Sequence, residues 1–378
     1  MIFLLWGAGL GGAAQYAKVS VVFDQLPQVF PEAGALLGFA VSLVGLIGIV
    51  FGVIAGLLVA RIRYRRALLW ALWLGAVVSA LQSLIPRFEW FLLLRCLEGL
   101  SHLAIVVATP TLIAQLSAAR HRGFTLTLWG TFFGVAFTVL AWLGLPLVDR
   151  FGVAALFLAH ALYMAVFAVI LTLTLHPNPS QTSVRKLSFS GIIKDHISIY
   201  RSARISAAAL GWLFHTIYFV AILTFMPPFI DPSKRAFVTG AMPLASIISS
   251  LTFGVWVMRF ISAVEVVMLG FGLSMVCMIW LWVDPGNGAG CIALAAALGL
   301  IQGASFAAVP QLNASADTQA QANGAMAQMG NVGNTIGTPI MVAALASFGY
   351  NALPIFVSMA LLMGLTTHIV LQILRRTP

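Results

Sequence analysis

Charge is what this chain has least of. Only 8% of its 378 residues are charged, while 61% are apolar and the mean hydropathy is +1.02. A soluble domain carries about 25% charged residues, so this chain has too few such groups to cover a water-facing surface. That excludes a soluble enzyme, a disordered protein and a nucleic-acid-binding domain. Cysteine is scarce too. Cys96, Cys277 and Cys291 stand in apolar runs without paired spacing, which leaves packing as their role and excludes a disulfide framework. HExxH, paired CxxC and GxxxxGK[ST] are missing, so neither a zinc enzyme nor an ATP-driven pump is encoded. No catalytic residue, metal ligand or cofactor is expected.

What the chain has instead is long apolar runs. They fall at roughly 2–24, 33–60, 67–85, 88–116, 124–147 and 152–175, then at 205–229, 236–258, 262–283, 288–312, 321–347 and 351–374. Strand periodicity is absent. The expectation is an all-α membrane protein of twelve transmembrane helices in two pseudo-symmetric six-helix bundles. These are an N-terminal bundle over 1–175, a cytoplasmic linker over 176–204 and a C-terminal bundle over 205–378. The first run lacks a basic leader region and ends at Asp24, so it reads as a first membrane helix and not a cleaved signal.

The net charge of +10 reports topology. With both termini in the cytoplasm, the inner loops hold Arg61, Arg63, Arg65, Arg66, Arg120, Arg122, Arg185, Lys186, Lys194, Arg201, Arg204, Arg259, Arg375 and Arg376. The outer loops hold Arg87, Arg150, Lys234 and Arg235, so the balance is 14 against 4. The positive-inside rule therefore predicts cytoplasmic termini and an inner-membrane protein. Within the linker, Phe189 to Arg204 mixes Ile192, Ile193, Ile197 and Tyr200 with four charges. It reads equally as an amphipathic helix on the membrane face or as a solvated connection.

The two halves match at corresponding places. Gly56-Leu-Leu-Val-Ala60-Arg61 has its counterpart in Gly254-Val-Trp-Val-Met258-Arg259. Glu98-Gly99-Leu100-Ser101 matches Gln302-Gly303-Ala304-Ser305, and Gly130-xxx-Gly134 matches Gly333-xxx-Gly337. Offsets of 198, 204 and 203 are nearly constant, as a duplicated six-helix unit would give.

With this layout the chain resembles the major facilitator superfamily. The segment from Gly56 through Arg61 to Arg65 and Arg66 looks like that family's G-x-x-x-D-R-x-G-R-R loop, which gates the conformational cycle. It departs at Ala60, where the family has Asp, and at Arg63, where it has Gly. Arg95-Cys96-Leu97-Glu98-Gly99 resembles the R-x-x-Q/E-G signature of the fourth helix. The drug-antiporter signature of the fifth helix is half present: Gly130 and Gly134 fit, but Val135 replaces Pro. The resemblance implies a secondary transporter in a lipid bilayer, acting on a small-molecule solute, expected to be a monomer and to move protons. It does not imply a particular solute.

An ionisable side chain inside a membrane helix costs at least about 2.5–3.5 kcal/mol, so each such residue is a functional candidate. Arg95, Glu98 and His102 lie at i, i+3 and i+7 of the fourth helix and share a face. The family's cavity-lining helices (first, fourth, seventh and tenth) would bring Lys18, with Gln15 one turn away, toward this ladder. The group reads as a solute-binding or proton-coupling cluster, or as a static ion pair that orders the helix. In the other half, His215 and Tyr218 on the seventh helix and Gln302 on the tenth are solute candidates. Gln328, Asn331 and Asn334 on the eleventh form an i, i+3, i+6 stripe that binds a solute or a neighbouring helix. His160 reads as a packing histidine. The three full charges sum to +1, which leans toward an organic anion. Proton-driven efflux of an amphipathic metabolite or drug is the alternative, and a non-transporting receptor or assembly factor the remote one.

Overall fold

A computed structural model of the chain describes residues 1–118, 121–176 and 196–376. Among the described residues are twelve long helices and no strand. The first six are α1 (Ile2–Ser20), α2 (37–62), α3 (Tyr64–Ser83), α4 (Phe88–Leu116), α5 (122–151) and α6 (Val153–Thr174). The second six are α7 (Ser206–Phe225), α8 (Arg235–Val257), α9 (Ala263–Val283), α10 (Gly288–Leu312), α11 (Ala316–Phe348) and α12 (Ala352–Arg376). Helices are what such a sequence must form, because lipid offers no partner for an unpaired backbone N–H or C=O.

Ten stretches of the described residues are long and apolar enough to cross a membrane, and the last, Gln321–Arg375, runs through both α11 and α12. The twelfth span is α1, whose hydropathy is lowered by Gln15, Tyr16 and Lys18 on its buried side. The protein is an integral, multi-pass membrane protein.

Two spans depart from regular helix in ways that matter. In α2 a 3-10 turn, Leu43–Gly45, separates Leu37–Ser42 from Leu46–Ile62. In α5 a π turn, Leu140–Gly144, precedes Pro146, whose missing N–H and ring bulk are accommodated by the wider turn.

The chain separates into two compact units, Met1–Arg185 and Lys186–Pro378. In the first, α1 packs on α4, α5 and α6, α3 packs on α4 and α6, and α2 packs on α4. In the second, α7 packs on α10, α11 and α12, α9 on α10 and α12, and α8 on α10. Each of these pairings recurs six helices later, so the weak sequence repeat is a repeat of packing.

The glycine pairs behave differently. A Cβ at Gly333 would stand 2.8 Å from the Ile217 amide and the Leu213 carbonyl, so α11 touches the α7 backbone there. Gly130 meets nothing within 4 Å. Of the stretch 189–204, residues 189–195 lie outside the described ones, while 196–201 are helical. That turn rests on the second unit: Ile199 is buried against Ala208, Val309 and Met326, and Arg375 donates to the Ala203 carbonyl at 3.1 Å.

Candidate functional site: a buried ion cluster

Lys18, Arg95 and Glu98 meet inside the first unit, all three with no exposed surface. The Lys18 ammonium sits 2.7 Å from each of three oxygens: Glu98 Oε1, Gln82 Oε1 and Ser79 Oγ. His160 Nδ1 lies 3.2 Å away and the Phe157 ring centroid 5.3 Å. Arg95 Nη1 donates to Glu98 Oε2, which also accepts from Gln82 Nε2 at 2.9 Å. Both carboxylate oxygens are thus occupied, and the three charges leave +1 inside the bundle.

The break in α2 supplies the rest of the Arg95 environment. Its 3-10 turn interrupts the i→i−4 ladder just after Ala40 and Val41. Arg95 Nε donates to the Ala40 carbonyl at 2.5 Å and Nη2 to the Val41 carbonyl at 3.3 Å. Gly99 makes this approach possible. A Cβ there would stand 2.6 Å from the Val44 carbonyl oxygen, so any larger residue would push α2 away from α4.

A second row of bonds continues along the same faces. Gln15 Nε2 donates to Ser101 Oγ at 2.8 Å, and Ser101 donates to the Ala71 carbonyl at 2.7 Å. His102 Nδ1 is 2.9 Å from the Gly12 carbonyl, which can only accept, so that nitrogen carries the proton. Its ring meets Tyr16 edge-on at 5.1 Å. His160 Nε2 donates likewise to the Gly11 carbonyl at 2.9 Å, which leaves Nδ1 of the neutral ring bare toward Ser79 and Lys18.

A family model described as Major Facilitator Superfamily matches residues 4–338, nearly the whole chain. The chain belongs to the major facilitator superfamily. It is 29% identical over 164 residues to the inner membrane transport protein YajR of Escherichia coli (strain K12). That alignment takes in 43% of this chain and 35% of YajR, so it spans about a third of the relative's length. The fold is similar to the crystal structure of a bacterial homologue of the human lysosomal transporter Spinster, in an inward-facing and unoccupied conformation. The TM-score is 0.75 at 13% identity, over 98% of this chain and 94% of the other. Membership places the chain in a superfamily of membrane transporters.

The remaining candidates of this superfamily member scatter over different roles. His215 is buried against Trp212, Tyr218 and Phe219, and its Nδ1 has no hydrogen-bond partner. The Tyr218 hydroxyl, Ser305 Oγ and Asn334 Oδ1 are buried and unpartnered as well. Gln302 Oε1 accepts from Ser246 at 3.4 Å, and Gln328 Oε1 accepts from Tyr200 at 2.9 Å. Asn331 bonds back to the Ala327 carbonyl of its own helix at 2.9 Å. The eleventh-helix stripe therefore splits into three different environments.

In the gating loop, Gly56 and Arg61 are described only as part of α2. Arg65 donates to the Leu175 and Thr172 carbonyls and so caps the end of α6, while Arg66 is exposed. Arg63 stands at φ 74°, ψ 127°, on the positive-φ side that the family's glycine reaches freely.

Sequence reasoning missed Ser79 and Gln82 and set His160 aside as packing. The first two were signalled by their i, i+3 spacing near the end of an otherwise apolar α3. His160 carried no comparable signal, because only the packing of α6 on α3 and α1 brings it to Lys18.

Proposed function

We propose that this protein is a proton-coupled secondary transporter working as a single chain, with the coupling chemistry in the Lys18–Arg95–Glu98 cluster. The observation that carries the reading is a net charge of +1 sealed inside an apolar bundle with titratable members. Burying uncompensated charge is costly, and removing or adding one proton there changes the energy of the bundle strongly. A packing device would not need that surplus.

The solute side of the reading rests on the second unit. Each nitrogen of Lys18 and Arg95 already has a protein partner, so neither cation offers a free donor to an organic anion in this arrangement. His215 Nδ1, the Tyr218 hydroxyl, Ser305 Oγ and Asn334 Oδ1 are buried polar atoms without partners, and His215 lies among aromatic rings. Such atoms cost stability unless a ligand completes them. They support an amphipathic solute with both hydrogen-bonding groups and an apolar body, ahead of the organic anion that the charge sum favours. The loop charge balance and the name of the E. coli relative support the inner membrane with cytoplasmic termini.

The test is solute-driven proton movement in proteoliposomes with an entrapped pH dye, using matched panels of amphipathic metabolites, organic anions and lipophilic cations. A solute from the first panel should move protons with wild-type protein and not with Lys18→Met. Solute flux without any proton movement would overturn the coupling. A response to organic anions alone would overturn the solute class.

A further inference from the structure

The titratable groups of the cluster differ in what surrounds them, and the geometry separates them. Arg95 stays charged in proteins, and the His102 ring is fixed on the Gly12 carbonyl and against Tyr16. That leaves Glu98 and Lys18 as the members of the ion cluster that can change charge, with His160 Nδ1 beside Lys18 as an acceptor.

Protonating Glu98 is unfavourable at either oxygen. Oε1 accepts from Lys18, and Oε2 accepts from both Arg95 and Gln82. A new O–H would point at groups that can only donate, and the charge of the cluster would rise from +1 to +2. Deprotonating Lys18 has the opposite effect. The charge falls to zero, and the amine keeps two donated bonds, to Gln82 Oε1 and Glu98 Oε1. At its third corner the Ser79 hydroxyl can reverse and donate to the new lone pair, since it lies 2.7 Å away. In doing so the hydroxyl turns from the Phe157 carbonyl, to which it donates at 3.0 Å, and Lys18, Glu98, Gln82 and Ser79 each keep a partner in both states.

An exit for that proton is also present. Ser79 Oγ lies 2.9 Å from His160 Nδ1, the bare nitrogen of a ring whose Nε2–H is held by Gly11. We propose that the coupling proton rides on Lys18 while Glu98 remains a carboxylate throughout, and that it leaves through the Ser79 hydroxyl to His160. An N–H bond of the ammonium breaks and its electron pair stays on Nζ. The proton binds Ser79 Oγ as the hydroxyl's own proton passes to His160 Nδ1. His160 is buried in this arrangement, so its Nδ1 holds the proton until the alternating conformation admits water to the ring, and water then takes it. Reversal of the same steps reloads the amine. The inference rests on the proton-coupled reading above.

The chain has four lysines and four glutamates, so both sets can be followed by NMR of the detergent-purified wild-type protein labelled at lysine 15Nζ and glutamate 13Cδ. The probe is the proton itself, varied by pH. As the pH is raised, the Lys18 signal should pass from ammonium to amine. The Glu98 signal should remain that of a carboxylate across the same titration, held by its bonds from Lys18, Arg95 and Gln82. Lys18→Met and Glu98→Gln serve to assign the signals. Should they not fold, the wild-type spectra still decide, by whether one glutamate stays ionised and one lysine does not track the others. In Ser79→Ala and His160→Gln, proton exchange at Lys18 should slow by about 100-fold, as loss of a positioned acid–base group would do.

A Glu98 that becomes protonated while Lys18 stays an ammonium overturns the proposal, as does a cluster in which neither group changes. Unchanged exchange in both variants overturns the route through Ser79 and His160. Proteoliposomes that move solute without protons would overturn the coupled reading alone, because the spectra report which group exchanges whether or not transport is coupled.

Discussion

Lys18 and Glu98 stand 2.7 Å apart with both side chains wholly excluded from solvent, eighty residues apart in sequence and on two different helices. They are not equivalent partners. Glu98 is shared by two cations, whereas Lys18 has two neutral oxygens besides the carboxylate.

That asymmetry orders the variants by stability. Glu98→Ala leaves Lys18 and Arg95 buried with no counter-charge and should cost about 3–5 kcal/mol. Lys18→Met leaves the neutral Arg95–Glu98 pair and loses the bonds to Glu98 Oε1, Ser79 and Gln82, so about 1–3 kcal/mol is expected. Thermal unfolding in detergent should therefore rank Glu98→Ala well below Lys18→Met. The reverse order would mean that Glu98 is not the carboxylate holding the cluster.

Arg95→Lys should behave as a disruptive change. One ammonium cannot reach Glu98 and both α2 carbonyls in the fork geometry of a guanidinium, so at least one of the Ala40 and Val41 carbonyls loses its partner. The expected loss is about 1–3 kcal/mol, with faster hydrogen exchange at 43–46 in α2 and little change in α6.

Arg63→Gly should stabilise the protein. The backbone at φ 74° is strained for arginine and open to glycine, and the side chain is exposed. Relief of about 1 kcal/mol is expected, read as a higher unfolding temperature. A lower temperature would mean that the Arg63 side chain contributes more than its backbone costs.

His215→Phe and Tyr218→Phe should separate stability from binding. Each removes a buried polar atom that has no partner, so the unliganded protein should be as stable as wild type or slightly more so. A solute at 100 times its Kd stabilises the wild type by about 2.7 kcal/mol, and both variants should lose most of that shift. A full ligand shift in both would move the solute site away from α7.

The local patterns reached far, for physical reasons. Run length and hydropathy are additive along the chain, so they located the spans, although α1 ends at Ser20 instead of 24 because the backbone tightens at Phe23–Gln25. Helical spacing put Arg95 beside Glu98 and Gln328 in register with Asn331 and Asn334. Spacing could not say that Tyr200, from the short helical turn at 196–201, would take Gln328, or that Asn331 would turn back on its own helix. Those outcomes depend on what packs opposite each face.

The sequence by itself determined that the chain enters a membrane, crosses it twelve times, repeats itself after six helices and carries a surplus of positive charge in its first half. Each of these follows from side-chain solvation or from a period along one chain. Only the tertiary structure decided what that charge does. Gln82 and Ser79 from α3, His160 from α6 and the carbonyls freed by the break in α2 converge on Lys18 and Arg95 from 54 to 142 residues away in sequence. In a medium without water a buried ion takes its partners from whichever helices pack against it, and that packing is set by glycine contacts such as Gly99 on Val44, not by the spacing of charges along the chain.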